Sequence, residues 1–126
     1  MASYYKSLPG NLGTKLVCDY DANNTSSNDA TSDSGILYMV EIDATAGAAT
    51  TAEPGCYVKI INASSATVGS TAPEMVLYAP IGKKTCYIIS SGWAFGTGLS
   101  FWAVTSAAVN NQTGPTSDVK VKLITT

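Results

Sequence analysis

Histidine and arginine are both missing from this chain of 126 residues. Without imidazole there is no Ser-His-Asp or Cys-His nucleophilic engine, and no histidine-ligated metal. Without guanidinium there is no bidentate clamp for phosphate or for a guanine edge; all seven basic residues are lysines. Charged residues of either sign make up 13% of the chain, about half the usual share for a soluble domain. The net charge is −2 and the pI near 4.8, so counterion release from nucleic acid offers this chain no driving force. No purely apolar run is longer than that from Ile36 to Val40, far short of a membrane span. These absences argue against an enzyme, a cofactor, a nucleic-acid partner and a membrane partner.

Targeting and redox signals are equally sparse. Met1 to Lys6 contain no apolar segment of the secretory kind, so no leader is expected. Cys18, Cys56 and Cys86 are an odd number without paired spacing. Reduced, buried thiols are expected, with a Cys56–Cys86 bridge as the alternative.

What the chain does contain is alternation. No window keeps an apolar stripe at helical spacing. Short period-2 segments recur instead: Lys15 to Tyr20, Ile36 to Ile42, Cys56 to Asn62, Glu74 to Ala79, Thr85 to Ile89, Leu99 to Thr105 and Val119 to Ile124. In the second, Ile36, Tyr38, Val40 and Ile42 are expected on one face. In the last, Val119, Val121 and Leu123 oppose Lys120 and Lys122, as in a half-buried strand. Turn chemistry separates them at Pro9-Gly10, Ser34-Gly35, Pro54-Gly55, Pro80-Ile81-Gly82, Ser91-Gly92, Gly96-Thr97-Gly98 and Gly114-Pro115. The pattern predicts an all-β fold: a single antiparallel β-sandwich, with jelly-roll topology as the expected form. Residues 11–126 are expected to form that one domain. Residues 1–10 read as an extended N-terminal arm hinged at Pro9-Gly10, with Tyr4, Tyr5 and Leu8 for burial against a partner. Residues 21–34 contain no apolar side chain larger than alanine and read as a long, mobile surface loop.

Several motifs start well and fail. Asp19, Asp21 and Asn23 match the opening of an EF-hand loop, but its sixth and twelfth positions are Asn24 and Ala30, where glycine and a bidentate glutamate are needed. A weak Ca²⁺ site near Asp19 and Asp21 is the most that remains. Gly82-Lys83-Lys84-Thr85 resembles the end of a P-loop, yet Leu77 and Lys84 stand where glycine and Ser or Thr are required. Lysines at a strand end fit an edge protected against pairing. Gly96-Thr97-Gly98 lacks the third glycine of a dinucleotide fingerprint, since position 101 is Phe. The expected catalytic, cofactor and metal residues are therefore none. Trp93, Phe95, Phe101 and Trp102 lie within ten residues. They could form a sugar-stacking platform; alternation instead divides them, with Phe101 towards the core and Trp102 towards a subunit or capsid interface.

The stretch from Cys56 onward carries a longer signal. It runs Tyr57-Val58-Lys59-Ile60-Ile61-Asn62, then Ala66-Thr67-Val68-Gly69-Ser70-Thr71-Ala72-Pro73, then a strand ending at Ala79-Pro80. After Trp93-Ala94-Phe95-Gly96-Thr97-Gly98-Leu99-Ser100 come a strand, an Asn-rich turn and a closing Val/Leu strand. This succession resembles a family of small virion proteins of tailed bacteriophages, cyanophages among them. Ile61 stands where the family usually has an aromatic, and Ala66 where it has proline. The resemblance implies a β-sandwich cement or decoration protein on the outer surface of the capsid. It would be made in the host cytoplasm, hold the major capsid protein as its partner and stabilise the head by bridging shell subunits. It also implies a homo-oligomer, with a homotrimer expected where shell subunits meet around local threefold axes. A carbohydrate-binding module of a head fibre or tailspike is the alternative.

Overall fold

A computed structural model describes residues 15–31 and 33–126 in full, together with the backbone of residues 3–7. Eight strands follow one another: β1 (Ser3–Ser7), β2 (Lys15–Ala22), β3 (Gly35–Asp43), β4 (Gly55–Asn62), β5 (Met75–Pro80), β6 (Lys84–Phe95), β7 (Leu99–Val104) and β8 (Val119–Thr125). They make a five-stranded sheet in the order β1-β2-β8-β3-β6 and a three-stranded sheet in the order β5-β4-β7. Every pairing is antiparallel. The all-β sandwich read from alternation is what the chain forms. All seven alternating segments are strands.

The inner faces supply the core. Val17, Leu37, Val40, Ile42, Val119, Val121 and Leu123 come from the large sheet. Cys56, Val58, Ile60, Leu99, Phe101 and Ala103 meet them from the small one. Met75, Leu77, Tyr87, Ile89 and Trp93 pack half-buried against this cluster. On that flank the Tyr87 hydroxyl donates to the Tyr78 carbonyl at 2.5 Å, joining β6 to β5 across the two sheets.

Four expectations need correction. Residues 21–34 are a surface loop only in part, over the described residues. Asp21 and Ala22 extend β2, and Ser27, Ala30 and Thr31 are buried. The segment lies along the outer edge of β7: Ser27 N donates to Phe101 O at 2.8 Å, and Phe101 N donates back to Ser27 O. Ala30 N donates to Leu99 O and Ala103 N to Asn23 O. The physical reason is that every residue of β7 is buried, so its edge groups must find partners within the protein.

The second correction concerns β3. A register shift between Leu37 and Met39 breaks its alternation against both neighbours. Leu37, Val40 and Ile42 therefore point inward, while Ile36 and Tyr38 leave the face they were expected to share with Val40. Third, Ser91-Gly92 is not a turn. Both residues lie inside β6, in the stretch between Ile88 and Trp93 where pairing with β3 lapses. Gly92 has φ +75°, and a Cβ there would collide with Ile36 and Tyr38. Fourth, Cys86 is exposed, while Cys18 and Cys56 are buried; all three are free thiols.

The segment expected as an arm runs, over Ser3–Ser7, as the edge strand of the large sheet. Tyr4 pairs with Cys18 and Tyr5 with Val17. Backbone pairing of this kind offsets the entropy of ordering an extended segment without any partner molecule.

Asp19 follows Val17 on the inner side of β2 and is fully buried, just before the strand's register shifts against β8. One carboxylate oxygen accepts from Asp21 N at 3.1 Å; the other is buried without a hydrogen bond. Burial, reinforced by the Asp21 carboxylate, pushes Asp19 up to about 6 from the usual 3.8. The folded state thus holds this proton more tightly than the unfolded chain does. The stability that Asp19 contributes is fully present below about pH 4, is lost as the pH rises to about 6, and is absent above. A rise of this size corresponds to about 3 kcal/mol at neutral pH. Asp19→Asn keeps the acceptor for Asp21 N and removes the charge. It should flatten the stability profile and raise the Tm at pH 7.5 with no gain at pH 4, as measured by thermal denaturation across that range.

Candidate functional site

Concave sites do not shape the described residues: they form no pocket and no group of three or more side chains suited to a metal. Near the proposed cation site, Asp19 is wholly buried and its neighbour Asp21 donates a backbone N–H to it. The Cys56 thiol faces the core, where burial pushes it up to about 11, far from a reactive thiolate. The surfaces that remain are the outer faces of the two sheets.

The outer face of the large sheet is divided into an apolar and a charged half. Inward residues alternate with outward ones, so Leu16, Ile124, Met39 and Ile88 emerge on the solvent side of β2, β8, β3 and β6. They are also in register. Leu16 pairs with Ile124, Ile124 with Met39, and Met39 with Ile88, which makes one apolar row across four strands. Ile88 is 70% exposed. The next row reads Cys18, Lys122, Glu41, Cys86, and beyond it lie Lys120, Asp43 and Lys84. Asp43 is held below the usual carboxylate range by hydrogen bonds from the Thr45 side chain and backbone, with Lys84 and Lys120 adding to the effect.

The small sheet shows a different outer face. Val76 on β5 pairs with Lys59 on β4, and Lys59 pairs with Trp102 on β7. The next row is Tyr78, Tyr57 and Val104, with the two tyrosine rings 5.2 Å apart and tilted. The connection between β7 and β8 folds over part of this face. Lys59 is fully buried beneath it, and its ammonium donates to Ala108 O at 2.7 Å. Burial lowers the Lys59 pKa below the usual lysine range. The same connection is tied to neighbouring loops, since Asn24 Nδ2 donates to Gln112 O at 2.8 Å and Thr116 N to the Glu53 carboxylate at 2.9 Å. Val76, Tyr78 and Val109 stay open to solvent at 40 to 44%.

The residues singled out from sequence scatter. Trp102 lies on this covered face and is 1% exposed, so it packs within its own chain rather than presenting a subunit or capsid contact. Its alternation from Phe101 was legible; its burial was not. Trp93 packs against the core and stands 6.4 Å from Phe95, so the four aromatics form no open platform. Tyr4 and Tyr5 lie on β1, where only the backbone is described, and Leu8 falls outside the described residues. Sequence reasoning missed the Leu16–Ile124–Met39–Ile88 row. Two signals pointed to it: Ile124 shares its alternation set with Lys120 and Lys122, and consecutive Ile88 and Ile89 cannot both face inward.

An ammonium held by one carbonyl is a buried charge that no carboxylate offsets, and such a group costs stability while it fixes geometry. Lys59→Met should therefore leave the Tm unchanged or higher. It should also speed hydrogen exchange at Thr105 and Asn111, whose amides bond within the loop that Lys59 anchors. Calorimetry and amide-resolved exchange on the same sample check both parts.

No family model, curated protein or solved structure matches this chain.

Proposed function

We propose that this chain is a structural virion protein, a decoration or cement protein that binds the outside of a bacteriophage capsid and bridges major capsid subunits. The observation that carries the reading is that Val76 and Tyr78 on the outer face of β5 stay open to solvent, while the loop between β7 and β8, which carries the exposed Val109, is anchored by Lys59 beside them. Large apolar side chains clustered on one side of a low-charge domain suit cover by a protein surface. The resemblance from Cys56 onward supplies the identity of that surface. Strand order adds support for a jelly-roll reading. The series β2-β8-β3-β6 faces β7-β4-β5, and the segment from Asn23 to Thr31 runs along β7 where a fourth strand would stand. Binding of this kind adds free energy that the shell lacks alone, with no chemistry required.

The test uses empty shells assembled from the major capsid protein of a tailed bacteriophage. The intact protein should co-sediment with them at a fixed ratio. Val76→Lys combined with Val109→Lys, both at exposed positions, should weaken that binding at least tenfold while circular dichroism stays unchanged. Failure of the intact protein to bind shells, with binding to a glycan array instead, would transfer the case to a carbohydrate module.

A further inference from the structure

The charged half of the large sheet has an order of its own. Towards solvent, β3 presents only acids, Glu41 and Asp43, while the adjacent β8 presents only lysines, Lys120 and Lys122. The two strands are antiparallel neighbours, with Glu41 opposite Lys122 and Asp43 opposite Lys120. Consider a two-fold axis lying in the plane of this face, along the line between β3 and β8. It places β3 of one copy over β8 of the other. Glu41 then meets Lys122 of the second copy, and Asp43 meets Lys120, in both directions at once. The apolar row obeys the same operation: Met39 falls over Ile124, and Ile88 over Leu16. All eight side chains find a complementary partner under one rotation.

We infer that the outer face of the large sheet is an isologous dimer interface, occupied by a second copy of this chain. Two sheets packing face to face lie about 10 Å apart at a small angle, a gap that lysine and glutamate side chains span. Charges nearest the axis are displaced least by that angle, and Glu41 and Lys122 flank it. The division of labour follows from ordinary energetics. Burial of Ile88, Met39, Ile124 and Leu16 supplies affinity, while the acid and lysine strands set register and reject displaced pairings. Four strands spaced about 4.8 Å apart and about 25 Å long give a footprint of about 500 Å² per copy, short of the ~800 Å² of a standard interface. The dimer is therefore expected to be weak and concentration-dependent. The contact is two-fold, in contrast to the trimer that the family resemblance implies. It uses the face opposite the Val76–Val109 patch and stands independently of the capsid reading.

Sedimentation equilibrium at concentrations up to about 100 µM tests it. The intact chain should pass from monomer to dimer. Glu41→Lys with Asp43→Lys makes the face all-lysine, and Lys120→Glu with Lys122→Glu makes it all-acid; each double variant alone should be monomeric. Mixed in equal amounts, they should restore a one-to-one dimer, because acids again face lysines across both strands. Ile88→Asp, at a site too exposed to affect folding, should weaken the dimer at least tenfold on its own. A monomer or a trimer at the highest concentration, double variants that still dimerise alone, folded variants that fail to pair when mixed, or an unchanged dimer in Ile88→Asp would each overturn the inference. Shell binding is measured separately through Val76 and Val109, so either conclusion can fail without the other.

Discussion

Strand β7 is buried along its whole length, and the rest of the architecture answers to that constraint. A strand with both faces covered still carries a row of N–H and C=O groups along each edge. One edge pairs with β4. The other would be orphaned, at a cost of about 1–3 kcal/mol for each unpaired group, had the polar segment after β2 not been drawn along it. Ser27, Ala30 and Asn23 provide backbone partners, while Thr31 Oγ1 accepts from Leu99 N at 3.2 Å and Ser100 Oγ accepts from Asp29 N at 3.0 Å. A segment rich in small polar residues suits this task, because side-chain hydroxyls reach where an irregular backbone does not.

The outer faces express a second division. The small sheet closes much of its own face with the loop between β7 and β8, pinned by the Lys59 ammonium beneath it. The large sheet leaves Ile88, Cys86, Lys84 and Lys120 exposed on its outer face, and the rows there are sorted by strand as well as by polarity. An apolar row at one level and opposite charges on adjacent strands at the next form a pattern that a second copy matches. Such sorting is not needed for folding, since each lysine already finds an acid beside it on the same sheet.

Irregularity in β3 and β6 shapes that face. One extra residue in β3 turns Tyr38 and Met39 to adjoining positions, and the lapse in pairing near Gly92 lets Ile36 and Tyr38 lie over a residue without a side chain. The bulge moves three apolar side chains to solvent that a regular strand would have divided between the faces. Without it, the apolar half of the face would be smaller.

Alternation by itself located seven of the eight strands, β1 having been read as an arm, because a period of two with turn residues between segments permits few alternatives. Residues such as Val119, Val121 and Leu123 declared their inward face directly. The sequence also determined which chemistries are excluded, since side chains that do not exist cannot act. Tertiary structure alone decided where each surface ended up. Trp102 alternates outward from Phe101, as expected, yet it is only 1% exposed on that outer face. The polar run from Asp21 reads as loop by composition, and only the unpaired edge of β7 gives it a place. The row of Leu16, Ile124, Met39 and Ile88 draws on four strands whose order, β2-β8-β3-β6, no local pattern encodes. Local periodicity reports which way a residue points; register and strand order, set by long-range pairing, decide what stands beside it.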